Sequence, residues 1–161
     1  MSVFSTVTES AMATEFLVVD VTGIDGSVVE PAWLDRAEPV HRQLRTGLPA
    51  DYSQRLRFIF ANGGRMSAAT EGTAVRGVAL WRMIENTYEG RRLYVDDLVT
   101  DEANRSRGVG RTLLQHLERL ARELQCDVLA LESGTQRTDA HRFYFREGLV
   151  IPAFSFRKTL K

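Results

Sequence analysis

Arg105-Ser106-Arg107-Gly108-Val109-Gly110-Arg111-Thr112 stands between an apolar run, Leu93 to Thr100, and a segment whose apolar residues fall on one stripe. In that segment Val109, Leu113, Leu117, Leu120, Ala121 and Leu124 recur at helical spacing, with Arg111, Gln115, Glu118, Arg119 and Arg122 elsewhere, which predicts a helix from Gly108 to Leu124. Glycines at 108 and 110 let the backbone turn and approach a ligand where a Cβ would obstruct, and the unpaired N–H groups of the first helical turn point at that ligand. A helix start of this kind binds phosphate. Arg105, Arg107 and Arg111 add guanidinium groups suited to a pyrophosphate. A Walker loop needs Gly-Lys-Ser/Thr at its end, and a dinucleotide fingerprint needs a third glycine at position 113. Position 113 is Leu and no lysine precedes Lys158, so both alternatives fail.

Working outward, Asp127 to Leu131 reads as a short buried strand, and Thr138 or Asp139 can cap a helix that ends before Gly148. A last strand is expected over Val150 to Lys158. Upstream, Phe16, Val18 and the run to Val21 predict a first strand, and Trp33 to Arg45 and Asp51 to Ala61 predict two helices divided by Pro49. Arg65 to Glu71 and Val75 to Ile84 read as a hairpin, followed by the strand Leu93 to Thr100. The order of elements predicts a layered α/β or α+β domain.

The chain's 161 residues, 43% of them apolar, suit one domain with one sizeable core, and only about the first dozen read as loose. The N-terminus has no basic leader and no run of 18 apolar residues occurs, so a cytoplasmic, unanchored protein is expected. Cys126 is the one cysteine and the histidines are scattered, so neither a disulfide nor a metal site is expected. The zero net charge argues against a nucleic-acid or membrane binder. Its halves differ: residues 1–104 carry 10 basic against 15 acidic groups, and residues 105–161 carry 11 against 6. This division suits a polyanion held by the C-terminal part and a cation received by the rest.

Arg105, Gly108 and Gly110 match the Gln/Arg-x-x-Gly-x-Gly/Ala signature of the GCN5-related N-acetyltransferases (GNAT). Ala140-His141-Arg142-Phe143-Tyr144-Phe145-Arg146-Glu147-Gly148-Leu149 resembles that family's later A-x-x-x-Y-x-x-x-G-F segment. The likeness spans about residues 76–158 and is somewhat similar to polyamine-acetylating members. It implies a bent mixed sheet flanked by helices, with acetyl-CoA entering where strands four and five splay apart. It implies that Leu98, Val99 and Thr100 engage the pantetheine arm, a main-chain N–H near Leu98 polarising the thioester carbonyl. It also implies that Arg105, Arg107, Gly108, Val109, Gly110, Arg111 and Thr112 hold the pyrophosphate. Homodimers are common among such proteins. The family often has Asn seven residues before the tyrosine, where this chain has Arg137.

The resemblance places Tyr144 beside the coenzyme's sulfur as general acid, since the departing thiolate needs a proton. A lysine-like amine, with a pKa of about 10.4, must lose a proton before it attacks. Asp96 is the first candidate to take it, through water, with Asp97 the alternative. Neighbouring strand residues point to opposite faces, so both acids can serve one site only if a bulge intervenes. Cys126, at the start of an apolar strand, reads as a core residue, and direct transfer from acetyl-CoA to a primary amine is expected. The acid excess of the first 104 residues favours a small cationic acceptor. The alternative function is a non-catalytic acyl-CoA-binding regulatory module.

Overall fold

The computed structural model describes residues 16–161. Five strands, β1 (Leu17–Asp20), β2 (Arg65–Glu71), β3 (Ala74–Asn86), β4 (Gly90–Thr100) and β5 (Val128–Leu131), form one sheet in that order. β1 to β4 make an antiparallel meander, and β5 lies parallel to β4 after a helical crossover. Helices α1 (Pro31–Leu44) and α2 (Tyr52–Ala61) precede the hairpin, α3 (Val109–Glu123) forms the crossover and α4 (Thr138–Arg146) follows β5. The mixed sheet with helices on both faces matches the expected α/β architecture. The predicted looseness of residues 1–12 lies outside the described residues.

Two apolar cores flank the sheet. Leu34, Ala37 and Val40 of α1 and Leu56 and Phe60 of α2 pack on Met66, Val78, Leu80 and Val99. Val109, Leu113, Leu117 and Ala121 of α3 pack on Ala79, Trp81, Leu93 and Val95. The α3 stripe is the predicted one, and its N-terminal end sits directly over Gly77 of β3. A Cβ there would lie 2.7 Å from Val109 Cγ1 and 2.9 Å from Leu113 Cδ1, so glycine sets how closely α3, and the loop before it, approach the sheet.

The start of α2 is fixed by Asp51, whose side chain accepts the Gln54 N–H at 2.9 Å. Asp51→Ala is expected to lower stability by about 1 kcal/mol in a denaturant titration. A larger loss would mean that Asp51 does more than cap.

One expectation fails. Residues 150–161 form no strand: Val150, Ile151, Phe154, Phe156 and Leu160 are all exposed, and among the described residues β5 pairs only with β4. The alternating apolar residues suit a strand, but a strand needs a neighbour to satisfy its backbone, and the chain folded as a single copy brings none. No helix among the described residues is long and apolar enough to cross a membrane.

Candidate active site

The acid pair of β4 sits on a bulge. Leu80 pairs with Asp97 and Trp81 with Val95, which leaves Asp96 as the extra residue. One inserted residue reverses the faces of everything beyond it. Leu93 and Val95 therefore join the core under α3, whereas Val99 joins the core under α1 and α2. Both acids now line one open pocket of about 820 Å³, between the α1–α2 loop, α2 and strands β3 and β4.

Neither carboxylate is free of partners. Arg82 reaches Asp96 Oδ2 with Nε at 2.7 Å and Nη2 at 2.6 Å. Asp97 is buried; its Oδ2 lies 2.8 Å from His41 Nε2, and its Oδ1 accepts Arg45 Nε at 2.6 Å. His41 Nδ1 lies 3.0 Å from the Tyr52 hydroxyl, closing a buried chain from Tyr52 through His41 to Asp97. Burial of Tyr52, with the charges of Glu38 and Asp97 nearby, raises its phenol pKa and keeps it protonated.

Burial alone would raise the pKa of Asp97, but the hydrogen bonds and charges of His41 and Arg45 outweigh it and hold the carboxyl below an ordinary aspartate. A folded-state pKa below the unfolded one contributes stability above about pH 4, lost as pH falls through the depressed value. Urea midpoints of the protein and of Asp97→Asn are thus expected to lie furthest apart near neutrality and to converge in acid. A separation independent of pH would contradict the pairing. The same depression makes Asp97 a weak proton acceptor.

The second half of the site lies past the end of β5. Pairing between β4 and β5 stops at Val95 and Leu131, so β4 runs on through Leu98, Val99 and Thr100 paired with β3 on one edge and, among the described residues, with no strand on the other. Into this splay points the start of α3. Gly108 caps the helix at φ 93°, a left-handed conformation that glycine adopts readily, and Ser106 shares that hand at φ 63°. No side chain caps the helix, leaving the first-turn amides open to an anion. Gly110 marks a seam: a Cβ on it would lie 3.4 Å from both Thr100 Oγ1 and Phe143 Cζ. Tyr144 is next along α4, its ring centroid 5.4 Å from that of Phe143. Burial raises the Tyr144 phenol above an ordinary tyrosine, so it keeps its proton near neutrality. Its hydroxyl has no hydrogen-bond partner among the described residues.

Residues 28–148 match the model of the acetyltransferase (GNAT) family. The chain belongs to that family. It is 38% identical over 127 residues to YhdJ, an uncharacterized N-acetyltransferase of Bacillus subtilis (strain 168), covering 76% of this chain and 88% of that one. Over 66 residues it is 36% identical to the aminoalkylphosphonate N-acetyltransferase of Salmonella typhimurium (strain LT2), covering 41% of this chain and 43% of that one. The crystal structure of the aminoglycoside N-acetyltransferase AAC(6′)-Iy with CoA shares the fold at a TM-score of 0.75 and 15% identity, covering 92% of this chain and 98% of that one.

In this acetyltransferase the sequence-derived residues fall into separate groups. Leu98, Thr100, Gly108, Val109 and Gly110 belong to the splay and the helix start beside it, with Val109 buried, and Tyr144 lies beside Phe143, which meets Gly110. Arg105 is exposed and only 3.6 Å from Glu102, and Arg111 Nη2 pairs with Glu147 at 2.8 Å on the α4 side. Arg107 departs: Glu71 takes its Nη2 at 2.8 Å, Asn104 takes its Nη1, and its guanidinium lies 5.3 Å from the Phe16 ring centroid. Arg107 and Thr112 line a second crevice with β1. Among the described residues no group of three His, Cys, Asp or Glu is placed to hold a metal. His41, Arg45 and Arg82 went unread in the sequence as site residues; the carboxylates they meet lie 14 to 56 positions away, which no local pattern reveals.

Proposed function

We propose that the enzyme transfers the acetyl group of acetyl-CoA to the primary amine of a small molecule by direct attack in a ternary complex. The observation that carries this reading is the seam at Gly110, where the open helix start, the end of β4 that β5 leaves uncovered and the aromatic pair of α4 converge. Gly108, Val109, Gly110 and Arg105 would hold the pyrophosphate, and the main chain of Leu98 to Thr100 the pantetheine. An N–H near Leu98 aimed at the thioester oxygen is worth about 3 kcal/mol in such reactions. Attack by the amine breaks the carbon–sulfur bond. Tyr144 gives its phenolic proton to the departing thiolate, and the amine's proton passes through water to Asp96. Asp96 suits this because Arg82 engages only its Oδ2.

A small acceptor is supported by the volume of the open pocket beside the acid pair, about 820 Å³. The acid excess that favoured a cationic acceptor loses its force here, because Arg82 and Arg45 already neutralise Asp96 and Asp97. Direct transfer is supported by Cys126, whose thiol burial pushes up, away from the reactive thiolate. Initial rates at varied acetyl-CoA and amine are expected to give intersecting reciprocal plots. Parallel plots would mean a covalent acetyl-enzyme.

The chain would act as one acetyltransferase domain, in the cytoplasm where its coenzyme is supplied, and as a homodimer. The tail supports the dimer: Phe154 and Phe156 are 84% and 93% exposed, and the outer edge of β5 lacks a strand among the described residues. The tail of a second copy laid along that edge would cover both. Light scattering is expected to give twice the chain mass of 18.2 kDa, and Phe154→Ser with Phe156→Ser to give the single mass. A wild-type monomer contradicts this assembly.

A further inference from the structure

Resting on the acetyltransferase reading, we infer that the acceptor is a small zwitterion, a primary amine joined by a short chain to an oxyanion, and that Arg55 and the outer edge of Arg45 receive the anion. The pocket beside the acid pair is lined by three guanidinium groups, Arg45, Arg55 and Arg82, against two carboxylates, Asp96 and Asp97. The bonding inside it divides those charges by task. Arg82 is fully engaged, with Nε and Nη2 on Asp96 and Nη1 3.3 Å from the Asn62 carbonyl oxygen. Asp97 is likewise spent, one oxygen on Arg45 and the other on His41.

What remains is one oxygen, one cation and one open edge of a paired guanidinium. Asp96 Oδ1 has no partner among the described residues, so it can accept from an ammonium. Arg55, exposed on α2, makes no ion pair among the described residues. Arg45 binds Asp97 through Nε and Nη2, leaving Nη1 unengaged on a side chain that is half exposed. An amine at Asp96 thus faces the surplus positive charge of Arg55 across the same pocket, with Arg45 Nη1 beside it as a further donor. A second positive group on the acceptor would meet that surplus, whereas a phosphonate or carboxylate would neutralise it by charge-assisted hydrogen bonds.

The test is CoA release at saturating acetyl-CoA with 2-aminoethylphosphonate, β-alanine, propylamine and 1,3-diaminopropane, for the protein and for Arg55→Gln. Calorimetric titration with ethylphosphonate, which has the anion and no amine, accompanies it. The two amino acids are expected to exceed propylamine in kcat/KM by about tenfold or more, and Arg55→Gln to collapse that ratio by a similar factor. Comparing 2-aminoethylphosphonate with β-alanine shows which oxyanion the pocket prefers. Propylamine or 1,3-diaminopropane matching the amino acids, or a ratio untouched by Arg55→Gln, overturns the inference and leaves the transferase standing. Ethylphosphonate binding that disappears in Arg55→Gln, with no amine acetylated, upholds the anion site and sinks the transferase reading. Neither binding nor release overturns both.

Discussion

Tyr144→Phe is expected to lower the maximal rate of CoA release by about 10²- to 10⁴-fold while acetyl-CoA binds as before. The change removes one oxygen from a ring that stays packed beside Phe143, so the seam with Gly110 keeps its shape. The phenol is held protonated by burial, the state a general acid needs at neutral pH. A thiolate left to take its proton from water departs more slowly, and the loss falls on kcat. If the variant turns over at the wild-type rate between pH 7 and 9, Tyr144 is only a wall of the site.

Gly110→Leu is expected to weaken acetyl-CoA binding by about a hundredfold or more. The first added atom already lies 3.4 Å from Thr100 Oγ1 and Phe143 Cζ, so the remaining three must push Phe143 aside or fill the splay. Overpacking of this kind costs about 1–3 kcal/mol, and here it falls where the coenzyme's arm must pass. Gly108→Val attacks the same loop through the backbone, because a β-branched residue is a poor occupant of φ 93°. Calorimetry on both variants separates the routes: Gly110→Leu should keep its melting temperature more nearly than Gly108→Val. Wild-type affinity in Gly110→Leu would move the coenzyme away from this seam.

Elements governed by local pattern were legible in the sequence. The stripe of α3 is written at helical spacing from Val109 to Ala121, and the structure buries that stripe. The glycines of the loop announced a helix start, and Gly108 takes the left-handed conformation that requires one. The bulge at Asp96 could be posed only as a condition. Leu93, Val95, Asp97 and Val99 alternate as if on one face, and only the pairing with Leu80 and Trp81 reveals that the face changes between Val95 and Val99. The arginines on the acid pair were illegible for a similar reason, since Arg45 and Asp97 meet from elements 52 positions apart. Arg107 read as a phosphate ligand by its place in the loop, and no local pattern showed that Glu71 of β2, 36 positions away, pairs with it. The tail read as a strand because alternation records what a segment can do, while a strand also depends on a neighbour that alternation does not supply.

Acetyl transfer from acetyl-CoA to an amine is tested by a calorimetric titration of the full chain with acetyl-CoA, followed in the same preparation by CoA release against the amine panel. Saturable binding is expected and, with at least one primary amine, release of one CoA for each acetylated amine. No binding of acetyl-CoA, or binding with no release for any amine, would contradict it.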